Sequence, residues 1–256
     1  MPLLKYLKRL RIRNRPFPSQ WVRVLQDRVP IYPNLTEDAR KKLHNRVQIF
    51  LNEKIFEGCG GFTMTEESRV IIAAYACMLI LEEPSGYYPS LKSILVYPSD
   101  YVAPVYEQDA GGVVTEGWES RSGESWNPGN IVLSWKDISR DIKHPRDGNN
   151  LIYHEFVHQL DYQYGLSSGI EDDGQTDSED EWTQELARTY RSLIRKAQRG
   201  QNDLLDLYGA TAPAECLAVA TECFMEKPQA LKRQYPKIYR HLASFFGFDP
   251  VKLYNF

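Results

Sequence analysis

The stretch from Asn150 to Asp161 reads Asn-Leu-Ile-Tyr-His-Glu-Phe-Val-His-Gln-Leu-Asp, with histidines at 154 and 158. Residues four apart on a helix share a side, so the imidazoles of His154 and His158 can hold one zinc ion together. Glu155 lies one residue round and can reach a water at that ion, as a general base must. The plain alternative is a surface helix with two incidental histidines. Leu151, Ile152, Phe156, Val157 and Leu160 argue against it, because they cover much of the helix circumference and call for burial. Buried imidazoles need partners, and zinc or ordinary hydrogen bonds can supply them. Asp147 is the N-cap candidate for this helix and Gly165 its natural stop. Asp161, three residues after His158, is expected on the histidine face. There it would accept the second N–H of a ligating imidazole; a solvated helix end is the other reading.

A catalytic zinc usually keeps three protein ligands and an open position. The metzincin pattern needs a third histidine where this chain has Tyr164 and a glycine where it has Asp161, so that class is excluded. A carboxylate is the remaining option. Residues 212–225 read as a helix, with Pro213 in the first turn and Pro228 beyond the end. Glu215 and Glu222 stand seven apart in this apolar segment and share one face. Glu215 is read as the third ligand and Glu222 as an outer partner of a ligand. Dipole stabilisation of Glu215 in a first turn and a surface position for Glu222 are the plain alternatives. Asp203 and Asp206 are rival ligands. Tyr208, seven residues before Glu215, can donate to a developing oxyanion, although most of the sixteen tyrosines must be structural.

Composition bounds the rest. The chain has 256 residues and a net charge of −3, which gives no general affinity for nucleic acid. The longest apolar run, Val70 to Leu81, is too short to span a bilayer and reads as a buried helix. Residues 1–33 form a basic N-terminal segment and 34–256 a single domain, with two lobes around a cleft as a variant. The basic residues of the first fifteen are Lys5, Lys8, Arg9, Arg11, Arg13 and Arg15, with leucines at 3, 4, 7 and 10. No apolar core follows them, so a signal peptide is not expected. A solvated tail or a helix packed between lobes is the first reading, and contact with a membrane surface or an acidic partner the second. None of the four cysteines has zinc-knuckle or redox spacing, which fits reduced thiols in the cytoplasm.

The pattern predicts helices over 36–57 and 65–83, short strands at 93–97, 101–106, 113–116 and 131–135, and helices thereafter. This order predicts an α+β fold, mostly helical, with a small mixed sheet beside the histidine helix. Ile131 to Trp135 is the candidate edge strand for holding a substrate backbone. Residues 171–185 carry eight acidic side chains and no basic one, and read as a solvated loop, with a lid or cation site as the alternative.

These residues resemble the Mlc titration factor A family of bacterial zinc peptidases. The matching blocks are Gly61-Phe62, Ile94 to Pro98, Ser125-Trp126, Ile131 to Trp135, Asn150 to Asp161, Tyr208-Gly-Ala, Pro213-Ala-Glu-Cys216 and the tail from Phe245 to Pro250. The resemblance implies a zincin-like, gluzincin-type metallopeptidase with one Zn2+ per chain. It assigns His154, His158 and Glu215 to the metal and Glu155 to the base. The site is also similar to the catalytic domain of anthrax lethal factor, which implies an assisting role for Tyr208. A peptide or protein substrate and aminopeptidase-like activity follow from the resemblance. So does an alternative function, a regulatory protein that sequesters a transcriptional repressor.

Overall fold

Every residue from Val70 to Leu81 is buried and belongs to the main hydrophobic core. This segment lies in helix α4 (Glu66–Leu79) and the turn after it. The helix starts at a reciprocal cap: Ser68 N donates to Thr65 Oγ1 and Thr65 N to Ser68 Oγ, both at 3.0 Å. The computed structural model describes residues 2–82, 86–99, 101–108, 114–121, 123–124 and 129–253. Ser125-Trp126 and Val113 lie outside the described residues.

Helices α1 (Pro2–Arg13) and α2 (Ser19–Arg28) precede α3 (Glu37–Glu53). Thr36 caps α3 by accepting from Ala39 N. The helix stops at Glu53, well short of the expected residue 57. Lys54 decides this, because its buried Nζ donates to the Tyr88 and Leu91 carbonyls at 2.6 Å each. The chain leaves the helix there, and Ile55–Gly58 become strand β1. The branched and aromatic side chains of Ile55 and Phe56 suit a strand, and its partners come from a distant segment.

Strands β2 (Ser93–Tyr97) and β6 (Asn130–Ser134) pair in parallel with each other, and β2 with β1. Between them come β3 (Tyr101–Gln108) and β4 (Val114–Arg121), a separate antiparallel pair. Strand β5 (Gly123–Glu124) closes the sheet order β1-β2-β6-β5 and runs antiparallel to β6. The fold is therefore mostly helical α+β with a small mixed sheet. One expectation is corrected: Ile131 to Trp135 is not an edge strand. β6 has β2 on one side and β5 on the other, and Trp135 already belongs to the next helix, α5 (Trp135–Lys143). Ser134 ends the strand by capping that helix, accepting from Asp137 N.

Helices α6 (Leu151–Tyr164), α7 (Glu181–Gln198), α8 (Pro213–Glu226), α9 (Pro228–Gln234), α10 (Pro236–Phe246) and α11 (Pro250–Leu253) complete the chain. A 3-10 turn, Leu207–Ala210, packs on α8 through Gly209. A β-carbon there would stand 2.5 Å from a methyl of Val219 and 3.3 Å from the Cys216 backbone. Gly209→Val is accordingly expected to destabilise the fold by about 1–3 kcal/mol, read as a lowered urea midpoint with unchanged slope.

Candidate metal centre

The back of α6 is anchored by aromatic packing. Phe156 meets Tyr88 and Phe50 with ring centroids 5.0 and 5.9 Å away. This points the opposite side of the helix, with both histidines, towards α8. The helix begins later than Asp147: Asn150 is the N-cap, its side chain accepting from Tyr153 N at 3.1 Å. Gly148, at φ 91°, interrupts the helical path first, and Asp147 only accepts from Asn149 N. Gly165 ends the helix in the left-handed conformation, as its sequence position implies.

Acids from two other helices hold this start. Glu222 accepts from Asn150 N at 2.5 Å and Asp141 from Leu151 N at 2.8 Å. Glu226 accepts from Arg146 N and from Asn150 Nδ2. The otherwise unpaired N–H groups of a helix start are thus satisfied by carboxylates from α5 and α8. Sequence reasoning missed Asp141 and Glu226. The signal for Glu226 was its place four residues after Glu222, on the same face. Asp141 gives no local signal. Burial pushes the carboxyls of Asp141 and Glu226 up to about 6 and about 7.

Glu215, in the first turn of α8, brings one oxygen to 2.8 Å from His154 Nε2 and 3.5 Å from His158 Nε2. The three donor atoms lie within 4.8 Å of one another. Behind them, Glu222 Oε1 sits 2.8 Å from His154 Nδ1. Glu155 is buried, and its Oε2 has no hydrogen-bond partner among the described residues. The Tyr208 ring lies 5.9 Å from the His154 ring and is half exposed. Six of the seven residues singled out in sequence therefore belong to one neighbourhood.

The seventh, Asp161, does not meet an imidazole through its hydrogen bonds. Ser167 donates to it through backbone N at 2.7 Å and through Oγ at 2.5 Å. The turn at Gly165 folds the following loop back over the helix end, so its donors satisfy this carboxylate. The rivals are also committed elsewhere. Asp203 is held by Lys196 and Tyr235, and Asp206 caps the 3-10 turn by accepting from Tyr208 N.

Electrostatics follow from the geometry. Burial disfavours a charged His154, but hydrogen bonds to Glu215 and Glu222 outweigh it and raise its pKa well above the usual value. Burial pushes the other way on Glu215, and hydrogen bonds to His154 and His158 bring it below the carboxylate range. Burial lifts Glu155 to about 7, against the pull of both histidines.

The family model for the glucose-regulated metallo-peptidase M90 matches residues 4–247. The chain belongs to this metallopeptidase family. An uncharacterized protein of Synechocystis sp. is 39% identical over 238 residues, covering 93% of this chain and 86% of its own. Mlc titration factor A of Yersinia enterocolitica is 29% identical over 236 residues, covering 91% and 86%. The protein of the same name from Yersinia pestis is 28% identical over the same length.

Membership of the M90 family implies a metal cofactor, and the donor set fits one. Two imidazole nitrogens and a carboxylate oxygen converge, and they form the only such group found among the described residues. Without a bound ion, the hydrogen bonds to Glu215 and Glu222 favour the protonated form of His154, and an entering ion competes with that proton. Raising the pH removes that proton, so apparent metal affinity is expected to rise with pH, by up to about tenfold per unit, until His154 is neutral. Competition titrations at pH 6, 7 and 8 check this, and a flat profile would overturn it. The sign is opposite for stability of the metal-free fold. What the raised His154 contributes is fully present below about pH 6.5 and is lost as pH rises through its shifted value.

Proposed function

We propose that this chain is a zinc-dependent peptidase in which His154, His158 and Glu215 hold one Zn2+. The convergence of those three donors beside the buried carboxylate of Glu155, whose Oε2 has no hydrogen-bond partner among the described residues, carries this reading. Two nitrogens and one oxygen from three protein side chains are a donor set that suits zinc with a position left open. A zinc ion bound there polarises the scissile carbonyl and brings the pKa of water towards about 7.

The residues divide the remaining work. Glu155 accepts the proton of the attacking water and delivers it to the departing amine. Its burial keeps its basicity high enough for that task near neutral pH. The Tyr208 hydroxyl donates to the oxyanion that develops on the substrate. Glu222 holds the proton on His154 Nδ1, which leaves Nε2 free as a ligand and fixes the ring. Glu222→Gln is expected to weaken zinc binding by about 10–100-fold with the fold intact. A zinc-chelator titration reads this, and unchanged affinity would remove Glu222 from the role. Asp161 orients the loop after α6 in this scheme and reaches the ligands only through the helix.

The test is cleavage of a peptide library by zinc-loaded protein, with chelated protein as control. No zinc-dependent cleavage of any peptide would overturn the proposal. The aminopeptidase-like preference belongs to the proposal on the strength of the resemblance. It predicts cleavage of free aminoacyl anilides and loss of activity when the amino terminus is blocked. A cytoplasmic location is supported by four free cysteines, three of them buried with thiols pushed upwards by burial. Among the described residues no helix is long and apolar enough to cross a membrane.

The name of the Yersinia relatives supports a second reading, capture of the repressor Mlc or one like it. A pull-down of purified repressor that survives Glu155→Gln and chelation would support it as a separate activity.

A further inference from the structure

Helix α1 is attached by its charged side. Arg9 donates to both oxygens of Glu53 at 2.7 and 2.8 Å, and its guanidinium lies 4.2 Å over the Tyr87 ring. Lys5 reaches the same Glu53 at 3.6 Å, and Ile12 is the one buried apolar residue of the helix. The opposite face is apolar and open. Leu3, Leu4, Tyr6, Leu7 and Leu10 are between 39 and 74% exposed. Leu3, Leu7 and Leu10 follow helical spacing and make one stripe. A helix that meets only water shows the reverse arrangement, with polar residues outward.

The stripe has a charged rim. Lys8 and Arg11 flank one side and Arg13 the other, all exposed. The first 26 residues hold seven Lys or Arg and no acidic residue, in a chain whose net charge is −3. Positive charge is thus gathered around the one open row of leucines.

We propose that α1 docks this protein on an anionic lipid surface. The leucine stripe enters the boundary between headgroups and acyl chains, and Lys8, Arg11 and Arg13 face the lipid phosphates. Charge complementarity selects this occupant. A second copy of the chain pairing symmetrically through the same stripe would set the basic rims against each other. The salt bridges to Glu53 hold the helix in the required orientation before contact, so little ordering is needed on binding.

The experiment is co-sedimentation of the full chain with phosphatidylcholine vesicles, with and without about 30 mol % phosphatidylglycerol. The expected result is binding to the anionic vesicles, little to the neutral ones, and strong reduction in about 0.5 M NaCl. Leu7→Ser/Leu10→Ser is expected to lower partitioning by about tenfold or more. Lys8→Glu/Arg11→Glu, which changes two exposed residues, is expected to lower it similarly if the leucine variant fails to fold. Absence of wild-type binding to anionic vesicles overturns the proposal. In that case, a dimer that Leu7→Ser/Leu10→Ser converts to monomer assigns the stripe to self-association. Equal binding to neutral and anionic vesicles also overturns it, because the rim then does nothing.

Discussion

Glu155→Gln is expected to slow peptide hydrolysis by about 10²–10⁴-fold while the protein keeps one zinc ion per chain. The exchange preserves shape and removes only the capacity to take up a proton. Glu155 Oε2 has no hydrogen-bond partner to lose, and the side chain is not among the three converging donors. Metal content and fold should therefore survive. The loss should fall on kcat, because the proton is moved in the transition state rather than on binding. Stability offers an independent check on metal-free protein. The carboxyl is raised to about 7 by burial, so its contribution is present below about pH 4.5 and lost as pH rises through 7. The glutamine variant lacks that titration and should lose less stability over the same window. Full activity with metal verified by elemental analysis would reject Glu155 as the base.

Glu215→Ala should release the metal and reduce zinc-dependent hydrolysis to background. It removes the carboxylate that approaches both histidines, at 2.8 and 3.5 Å. The remaining pair of imidazoles holds a zinc ion more weakly, by more than the about 10–100-fold that loss of an outer partner costs. The side chain sits in the first turn of α8 and is partly exposed, so truncation leaves the helix intact. His154 also loses one of the two hydrogen bonds that raise its pKa, so its titration should move down in the metal-free variant. Isothermal titration with zinc and NMR of the imidazole signals read the two effects. Stoichiometric, tight zinc in Glu215→Ala would return attention to the other acids near the site.

The legible part of the site was what each of two helices presents by itself. His154, Glu155 and His158 needed only the helical period, and the same period put Glu215 and Glu222 on one face of a second apolar segment, with Asp203 and Asp206 still in competition. Asp161 obeyed that period and was still misplaced, because spacing says which side a residue takes and not which donor arrives there first. Asp141 was invisible for a related reason: its partner, Leu151 N, becomes an unpaired group only once a helix starts after Asn150. The strand Ile55–Gly58 was hidden inside a helical pattern until Lys54 found two carbonyls thirty-odd residues away.

Sequence alone therefore determined the two helices that carry the histidines and Glu215, the stop of the first at Gly165, the mostly helical α+β class and the side chains that each helix presents. These are local properties, set by the helical repeat and by which side chains can close a helix end. Tertiary structure alone decided that Glu215 reaches both histidines while Asp203 and Asp206 are engaged elsewhere. It also enclosed β6 within the sheet and turned the leucines of α1 outward. Those outcomes depend on which distant groups compete for the same partner, and that competition is settled only when the segments pack.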